Sequence, residues 1–194
     1  MRAAVGIKAW IAKTPCVDEV RPAHCAGCGA ASRPVGSGVV LHGHGLLLRQ
    51  MRGVLAVGEP PGVFALWVRR YACQVCKAIM TVVPAGMLAR RQYSGPSIAL
   101  ALHLWLAAGL SDRCVRAQIC AWQVRGRSAR GWAQLYRWTS RAATLFALPR
   151  ALSALGDQHD VARRVLTTLR ALAPAAVSGV PIEQQIFEGA ALTR

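Results

Sequence analysis

The stretch RRYACQVCKAIMTVVP, residues Arg69–Pro84, places a Cys-x-x-Cys pair between a basic, aromatic segment and an apolar run. A second pair with the same spacing, Cys25-Ala-Gly-Cys28, lies upstream. Four thiolates are the tetrahedral ligand set that structural zinc prefers, and the two-residue spacer lets both sulfurs of a pair reach one ion. The sequence therefore predicts a Zn²⁺ site held by Cys25, Cys28, Cys73 and Cys76.

The long interval between the two pairs shapes the fold predicted around the metal. Forty-four residues separate Cys28 from Cys73, against about 15–20 in the commonest pattern. A long β-hairpin inserted between the pairs accommodates this interval. The strand candidates, rich in β-branched and aromatic residues and separated by Gly and Pro, are Val39–Leu41, Leu46–Met51, Val63–Tyr71 and Ile79–Val83.

The Cys-x-x-Cys spacing has two further interpretations, a redox-active pair and unrelated buried cysteines. A thioredoxin-like pair requires its first cysteine at a helix N-terminus, whereas Cys73 follows a predicted strand. Four thiolates would close the coordination sphere of a zinc ion, and no acidic residue lies between Glu59 and Asp112. The predicted zinc is therefore structural rather than catalytic.

Several other residues with metal-binding side chains remain. The spare ligands are Cys16, His24, His42 and His44. Because His42 and His44 alternate along a predicted strand, they face one side of it. That arrangement fits either a second metal or a histidine pair in a turn or facing phosphate. Cys114 and Cys120 are interpreted as small hydrophobic residues of a helix.

The charge of the chain indicates a polyanionic partner. The 194 residues include 24 Lys and Arg against 8 Asp and Glu, a net charge of +16. Residues 49–141 alone hold fourteen basic and two acidic residues. Nucleic acid is the usual partner of such a surface, and an acidic lipid surface is the competing interpretation. Arginine supplies 21 of the 24 positive charges, a bias that a GC-rich genome also produces.

From Ser94 onward the sequence becomes helical. Serine or aspartate residues that favour helix N-termini precede four predicted helices, at Ser94, Ser111, Ser128 and Asp157. The helix that begins at Ser128 is predicted to continue to Pro149, and a last helix to cover residues 181–192. The second and third helices, joined by a turn with Gly126, match the order of a helix-turn-helix motif.

The third helix has an Arg/Gln face suited to nucleic acid. At about 100° per residue, Arg130, Gln134, Arg137 and Arg141 share one side, opposite an apolar side. Arginine and glutamine read guanine and adenine edges in the major groove. The alternative is an ordinary solvated helix face. Further predicted nucleic-acid contacts, to phosphates or in a minor groove, are Arg90, Arg91, Arg125 and Arg127.

These features predict an α+β fold in which a small β zinc ribbon precedes an all-α, helix-turn-helix-like domain and a helical tail. The expected segments are an N-terminal arm (1–20), the zinc ribbon with its hairpin insertion (21–93), the helix-turn-helix-like domain (94–148) and the tail (149–194). The longest apolar run, Ile98–Leu110, has 13 residues, fewer than the roughly 20 of a membrane span. A cytoplasmic, nucleoid-associated protein without a membrane partner is expected.

Parts of the sequence resemble a bacterial protein family. They are the Cys25–Gly29 knuckle, the His42-Gly43 step, RRYACQVC at 69–76 and TVVPAGMLARRQYS at 81–94. Together with the following helices they resemble transposon-associated proteins in which a zinc ribbon precedes helix-turn-helix domains, and the N-terminal DNA-binding parts of certain insertion-sequence transposases. The resemblance covers residues 20–145. It implies sequence-directed binding of double-stranded DNA, with a transposase or recombinase as a possible partner, and zinc on the four cysteines.

A catalytic transposase is not expected. Its RNase H-like domain holds divalent metal on two Asp and one Glu arrayed on strands, whereas the acids after Phe146 lie on short predicted helices. The sequence therefore predicts a non-catalytic, zinc-containing DNA-binding protein associated with a mobile element. The alternatives are a protein-interaction module that docks a larger nucleic-acid machine through the apolar tail, Val161–Leu192, and an RNA-binding zinc ribbon.

Overall fold

The computed structural model describes residues 1–122, 132–149 and 156–193. These residues form a mixed α+β fold with a four-stranded sheet and seven α-helices, so the predicted α+β class is confirmed. The strands are β1 Arg2–Gly6, β2 Leu41–Gly53, β3 Gly62–Cys73 and β4 Ile79–Ala85. The helices are α1 Ile7–Ala12, α2 Gly95–Leu106, α3 Asp112–Ile119, α4 Ala133–Thr139, α5 Ala142–Leu145, α6 Gln158–Ala171 and α7 Ile182–Leu192, with a 3-10 turn at Ala175–Val177.

The chain divides into two compact units whose boundaries fall inside β2 and β3. The β unit comprises Met1–Gln50 and Phe64–Ala85, and the helical unit comprises Met51–Val63 and Gly86–Arg194. The segment 51–63 between the two long strands therefore belongs with the helices, although the sequence assigns it to the zinc ribbon.

The sheet of the β unit has the order β1-β4-β3-β2, with β1 parallel to β4 and β3 antiparallel to β4. Residues 1–20, expected as an arm, instead supply the edge strand β1. The Met1 ammonium group donates to Thr81 O at 2.9 Å, and Val83 N donates to Met1 O at 3.0 Å. Trp10 of α1 is buried and donates its Nε1–H to Trp67 O at 3.0 Å. The N-terminal residues are thus an integral part of the sheet unit.

Burial alternates along β3 as far as Val68 and changes phase beyond it, where Tyr71 and Cys73 are buried. Leu66 and Val68 are buried while Trp67 between them is 50% exposed, as expected from the two-residue period of a strand. Tyr71 is fully buried, and its hydroxyl donates to Val17 O at 2.6 Å. The strand ends at Cys73, so the second cysteine pair begins where β3 stops.

The core of the helical unit surrounds α2, which is apolar on almost all sides and buried along most of its length. Ser94 begins this helix as predicted, and its Oγ accepts the Ser97 N–H at 3.2 Å. Helices α6 and α7 pack against α2 and against each other. Much of the apolar tail, Val161–Leu192, predicted as a docking contact in the alternative function, packs inside this core: Val165, Leu166, Leu169, Ile186 and Phe187. Leu172, Ile182 and Leu192 of the same segment are exposed.

The single helix predicted from Ser128 to Pro149 is also wrong for its described part. Trp132 occupies the N-cap of α4, with φ −118° and ψ 86°. The helix then breaks at Arg141, the N-cap of α5, with φ −120° and ψ 10°. Thr139 Oγ1 donates to Leu135 O at 2.9 Å and Ser140 Oγ to Arg137 O at 3.3 Å. Such bonds can bend a helix, but Thr167 and Thr168 make the same bonds inside the continuous helix α6, so they do not by themselves explain the break.

No helix within the described residues is both long and apolar enough to cross a bilayer.

Candidate metal centre and basic surface

Four cysteine sulfurs converge in the β unit. All four ligand atoms lie within 4.8 Å of one another, and the members are Cys25, Cys28, Cys73 and Cys76. The Sγ atoms of Cys25 and Cys76 are 3.6 Å apart, and those of Cys28 and Cys73 are 3.8 Å apart. A tetrahedral ion with metal–sulfur bonds of about 2.3 Å places its sulfurs about 3.8 Å apart. The arrangement is therefore compatible with one four-coordinate metal ion, and the four predicted ligands are brought together.

The first cysteine pair is held in a tight backbone turn. Cys25 N donates to Ala30 O, and Gly29 N donates to Cys25 O, both at 2.9 Å. Gly29 adopts φ +74°, a left-handed conformation that glycine reaches without steric cost. The Gly27 N–H additionally points at the Cys25 sulfur, with a distance of 3.3 Å. Both cysteines of the pair are thereby directed to the same side of the turn.

The second pair repeats this turn almost bond for bond. Cys73 N donates to Ala78 O, and Lys77 N donates to Cys73 O, both at 3.0 Å. Lys77, at the position equivalent to Gly29, also takes a left-handed φ, +61°. A side chain in that region costs roughly 1–2 kcal/mol. The second turn therefore reaches the same geometry as the first at the cost of backbone strain.

The two turns also match in burial and pack together. In each pair the first cysteine is buried and the second is exposed. A Cβ added to Gly27 would lie 3.3 Å from Ala78 Cβ and 3.4 Å from Cys76 Sγ, so the small residue allows the turns to approach. The two cysteine turns thus form one site, to which each contributes one buried and one exposed cysteine.

The pKa values of the two cysteines in the first pair shift in opposite directions. The backbone N–H groups of Cys28 and Gly27 lower the pKa of Cys25 to about 6. For Cys28, the Ala30 N–H acts to lower the pKa, but the contacts with Cys76 and the other thiols, together with burial, outweigh it and raise the pKa to about 11. A bound metal ion would remove this opposition by stabilising all four thiolates together.

The spare histidines and cysteines do not extend this centre. Among the described residues, no second group of three or more metal-ligating side chains converges. His42 Nε2 lies 2.7 Å from Val39 O, and His44 is exposed. Cys120 is buried, as expected of a small hydrophobic residue, whereas Cys114 is exposed, contrary to that interpretation. The candidate metal centre is confined to the two Cys-x-x-Cys pairs.

The basic residues predicted to meet nucleic acid are distributed unevenly over the helical unit. Arg90, Arg137 and Arg141 are exposed, whereas Arg91 and Gln134 are half-buried. Because the helix breaks at Arg141, the stripe that was predicted to continue along one helix face ends at Arg137. The remaining predicted contacts, Arg125, Arg127 and Arg130, lie outside the described residues.

Three of the predicted residues meet in a cavity of about 470 Å³ within the helical unit. They are Arg90, Arg91 and Gln134, and two arginines that the sequence does not single out, Arg52 and Arg116, line the same cavity. Arg52 comes from the end of β2 and Arg116 from α3. The sequence spacing of Arg52 and Arg116 gives no sign of their proximity, because they come from different elements that only the fold brings together.

Comparisons of the chain with protein-family models, with curated proteins and with solved structures find no match.

Proposed function

We propose that the protein is a non-catalytic, DNA-binding protein whose β unit is stabilised by one structural zinc ion. The four thiolates that would hold the ion leave no open position for a substrate. The metal would stabilise a small unit, and the polyanion would be bound by arginines elsewhere in the chain.

Zinc is the ion that this donor set favours. Four thiolate ligands in tetrahedral array suit zinc or iron–sulfur chemistry, and the sulfur separations of 3.6 and 3.8 Å match single-ion coordination at zinc–sulfur distances. The β unit is small, and the apolar side chains that it buries, such as Trp10, Leu66 and Tyr71, come from a few short segments. Binding of zinc to such a unit would contribute directly to its folding free energy.

The observation that carries the DNA-binding proposal is the uncompensated charge of residues 49–141. This segment contains fourteen basic side chains and two carboxylates, Glu59 and Asp112. Asp112 is already engaged by the backbone, since its Oδ1 accepts from Arg113 N and its Oδ2 from Trp132 N, both at 2.9 Å. Exposed guanidinium groups, such as those of Arg90 and Arg137, bind phosphate oxygens bidentately.

A finer proposal follows from the resemblance of residues 20–145 to transposon-associated proteins. We propose that the protein serves a mobile element by recognising its DNA ends or regulating it, or is a shortened relic of a transposase, with a transposase or recombinase as partner. The capped helix α3 and the helix α4 would then approach the duplex in helix-turn-helix fashion. Flanking inverted repeats or a neighbouring recombinase gene would support this assignment.

The DNA-binding proposal is tested by the salt dependence of binding. Fluorescence anisotropy of a labelled 20-base-pair duplex, titrated with the full chain from 50 to 200 mM salt, should give an affinity that falls linearly on a log–log plot. Replacing Arg137 with Gln should weaken binding and reduce the slope by about 1. A structured RNA is measured in parallel, and tighter binding of the RNA would favour the RNA-binding alternative. Absent or salt-insensitive binding would contradict the proposal.

A second candidate function, docking onto a larger nucleic-acid machine, is favoured by one feature of the β unit. Three consecutive leucines of β2, Leu46, Leu47 and Leu48, are 40–51% exposed. Exposed apolar groups in a row are typical of protein contacts. A pull-down that survives nuclease treatment, and is lost when Leu46 and Leu48 are replaced with Ser, would support this function in place of direct DNA binding.

A further inference from the structure

We propose that the arginine-lined cavity of the helical unit binds one unpaired nucleotide, with its base against Trp122 and its phosphate on the guanidinium groups. This inference rests on the proposed function, because the nucleotide is taken to be one that has left the base stack of the bound DNA. The cavity is lined by Arg52, Arg90, Arg91, Gln92, Tyr93, Ile98, Arg116, Cys120, Trp122, Trp132, Gln134 and Trp138.

The electrostatics of the cavity select an anion. Four of its twelve lining residues are arginines, and the described lining contains no carboxylate. The Nε of Arg116 is buried, and within the described part of the chain it has no hydrogen-bond partner. A buried donor without an acceptor costs free energy, and a phosphate oxygen would supply that acceptor. The negative charge of the phosphate would also offset the repulsion among the four guanidinium groups that line the cavity.

The aromatic residues of the cavity select a planar group beside the anion. Trp132 and Trp138 pack edge to face at 5.1 Å, and Tyr93 packs in the same way on both, at 6.1 and 5.1 Å. This triad forms a rigid apolar wall. Trp122 stands apart from it and is 55% exposed. Exposed aromatic rings among basic groups are the platforms on which unpaired bases stack.

Local hydrogen bonds fix the positions of these groups. Tyr93 donates its hydroxyl to Cys120 Sγ at 3.1 Å, and the Cys120 thiol donates to Trp122 O at 3.5 Å. Burial, with the Cys120 contact, raises the pKa of Tyr93, so the hydroxyl stays neutral and adds no negative charge. The Arg52 guanidinium lies 5.4 Å from the centre of the Trp122 ring, a cation–π contact that orients the indole.

The backbone places the arginines from two segments side by side. Arg52 N donates to Gln92 O at 2.7 Å, and Ser94 N donates to Arg52 O at 3.3 Å. This short ladder aligns Arg52 with the segment that carries Arg90 and Arg91. The strand-like pairing keeps guanidinium groups of both segments at one cavity mouth, although 38 positions separate Arg52 from Arg90.

The size and the polar groups of the cavity fit a mononucleotide. Small-molecule sites commonly measure about 300–1,000 Å³, and this cavity measures about 470 Å³. Gln92 and Gln134 add amide groups that can pair with the edge of a base. An inorganic phosphate would use the arginines but would make no contact with the exposed ring of Trp122. The combination therefore favours base and phosphate together.

The test is a calorimetric titration of the full chain with deoxyadenosine 5′-monophosphate, with deoxyadenosine and with inorganic phosphate. The monophosphate should bind at least tenfold tighter than either fragment. Arg116→Gln and Trp122→Ala should each weaken its binding at least tenfold. The matched controls are Arg113→Gln, an exposed arginine on the same helix, and Trp67→Ala, an exposed tryptophan of the β unit. Each control should change the affinity less than twofold.

Two results would overturn the inference. One is phosphate binding as tightly as the monophosphate, which would mark a simple anion site. The other is monophosphate binding that is absent in the unaltered protein, or that is unchanged in both Arg116→Gln and Trp122→Ala. Because Trp122 is largely exposed, the Trp122→Ala variant keeps the core intact. The duplex titration is run on the same samples to separate the two proposals. Duplex binding without monophosphate binding would reject only this inference, and the reverse would reject only the proposed function.

Discussion

The sulfur of Cys25 lies 3.6 Å from the sulfur of Cys76, although 51 positions separate the two residues in the sequence. Each of these cysteines belongs to a turn with the same two backbone hydrogen bonds, one from the first cysteine N–H and one to its carbonyl oxygen. Two matched turns facing each other bring four sulfurs within 4.8 Å of one another, an arrangement compatible with a single tetrahedral ion.

Removal of the metal should loosen the β unit selectively. Treatment of the full chain with a strong chelator should abolish hydrogen-exchange protection of β3 and β4, because the proposed ion would tie the turn between these strands to the turn that carries Cys25 and Cys28. Helices α2, α6 and α7 should stay protected, since their core contains no part of the centre. Exchange measured by mass spectrometry with and without chelator checks this. Cys16→Ser, at an exposed cysteine outside the cluster, should behave as the unaltered protein, and equal loss of protection in both units would count against the account.

Lys77→Gly should stabilise the protein by about 0.5–1 kcal/mol, because glycine removes the left-handed strain that the lysine carries at φ +61°. Lys77→Ala keeps a Cβ in that conformation and should give no comparable gain. At the equivalent position of the first turn, Gly29→Ala should destabilise by a similar amount, since nothing lies within 4 Å of the added Cβ and only the strain changes. Denaturant midpoints of the metal-loaded proteins measure all three. A loss of stability in Lys77→Gly would show that the two turns are not equivalent.

Gly189→Ala should destabilise the helical unit by about 2–3 kcal/mol through overpacking. The added Cβ would lie 1.7 Å from Leu169 O, so α6 and α7 would have to move apart. Helix propensity alone predicts the opposite sign, a gain of about 1 kcal/mol. Thermal unfolding distinguishes the two. Gly179→Ala, where the space around the added Cβ is open, serves as the control and should be neutral or slightly stabilising.

Asp157→Asn should lower the melting temperature at neutral pH by an amount that disappears in acid. The N–H groups of Asp160 and His159 lower the pKa of Asp157 below its usual 3.8. A carboxyl whose pKa is lower in the folded protein than in the unfolded chain stabilises the fold at pH values above its unfolded-state pKa. This stabilisation is lost as the pH falls through the folded-state pKa. Melting temperatures of both proteins from pH 7 down to pH 3 should therefore converge at the acid end. A difference that is constant with pH would exclude the charge as its source.

The parts of the fold that the sequence predicts are those fixed by local chemistry. The Cys-x-x-Cys spacing predicts the metal centre because two residues suffice to turn the chain. Ser94, Ser111 and Asp157 cap helices as predicted, since each side chain accepts an N–H of its own first turn. Strand β3 is predicted because it is rich in aromatic and β-branched residues, from Val63 to Tyr71.

The remaining features depend on contacts that no local pattern contains. Strand β1 is only five residues long and forms by pairing with β4, about eighty positions away. The helix breaks at Arg141, with φ −120° and ψ 10°, although the helical period of the sequence continues through it. The cavity that Arg52 and Arg116 share is set by the ladder beside Arg52 and by the placement of α3. The spacing of Arg52 and Arg116 in the sequence does not predict that they line the same cavity.

The most direct test of the account is the metal content of the full-length chain, measured by inductively coupled plasma mass spectrometry against a protein concentration from amino-acid analysis. After purification with zinc present and removal of free metal, we expect one zinc ion per chain. The paired variant Cys25→Ser with Cys76→Ser should hold almost none. A value well below one in the unaltered protein, or an unchanged value in the paired variant, would show that the two Cys-x-x-Cys turns do not close a single metal centre.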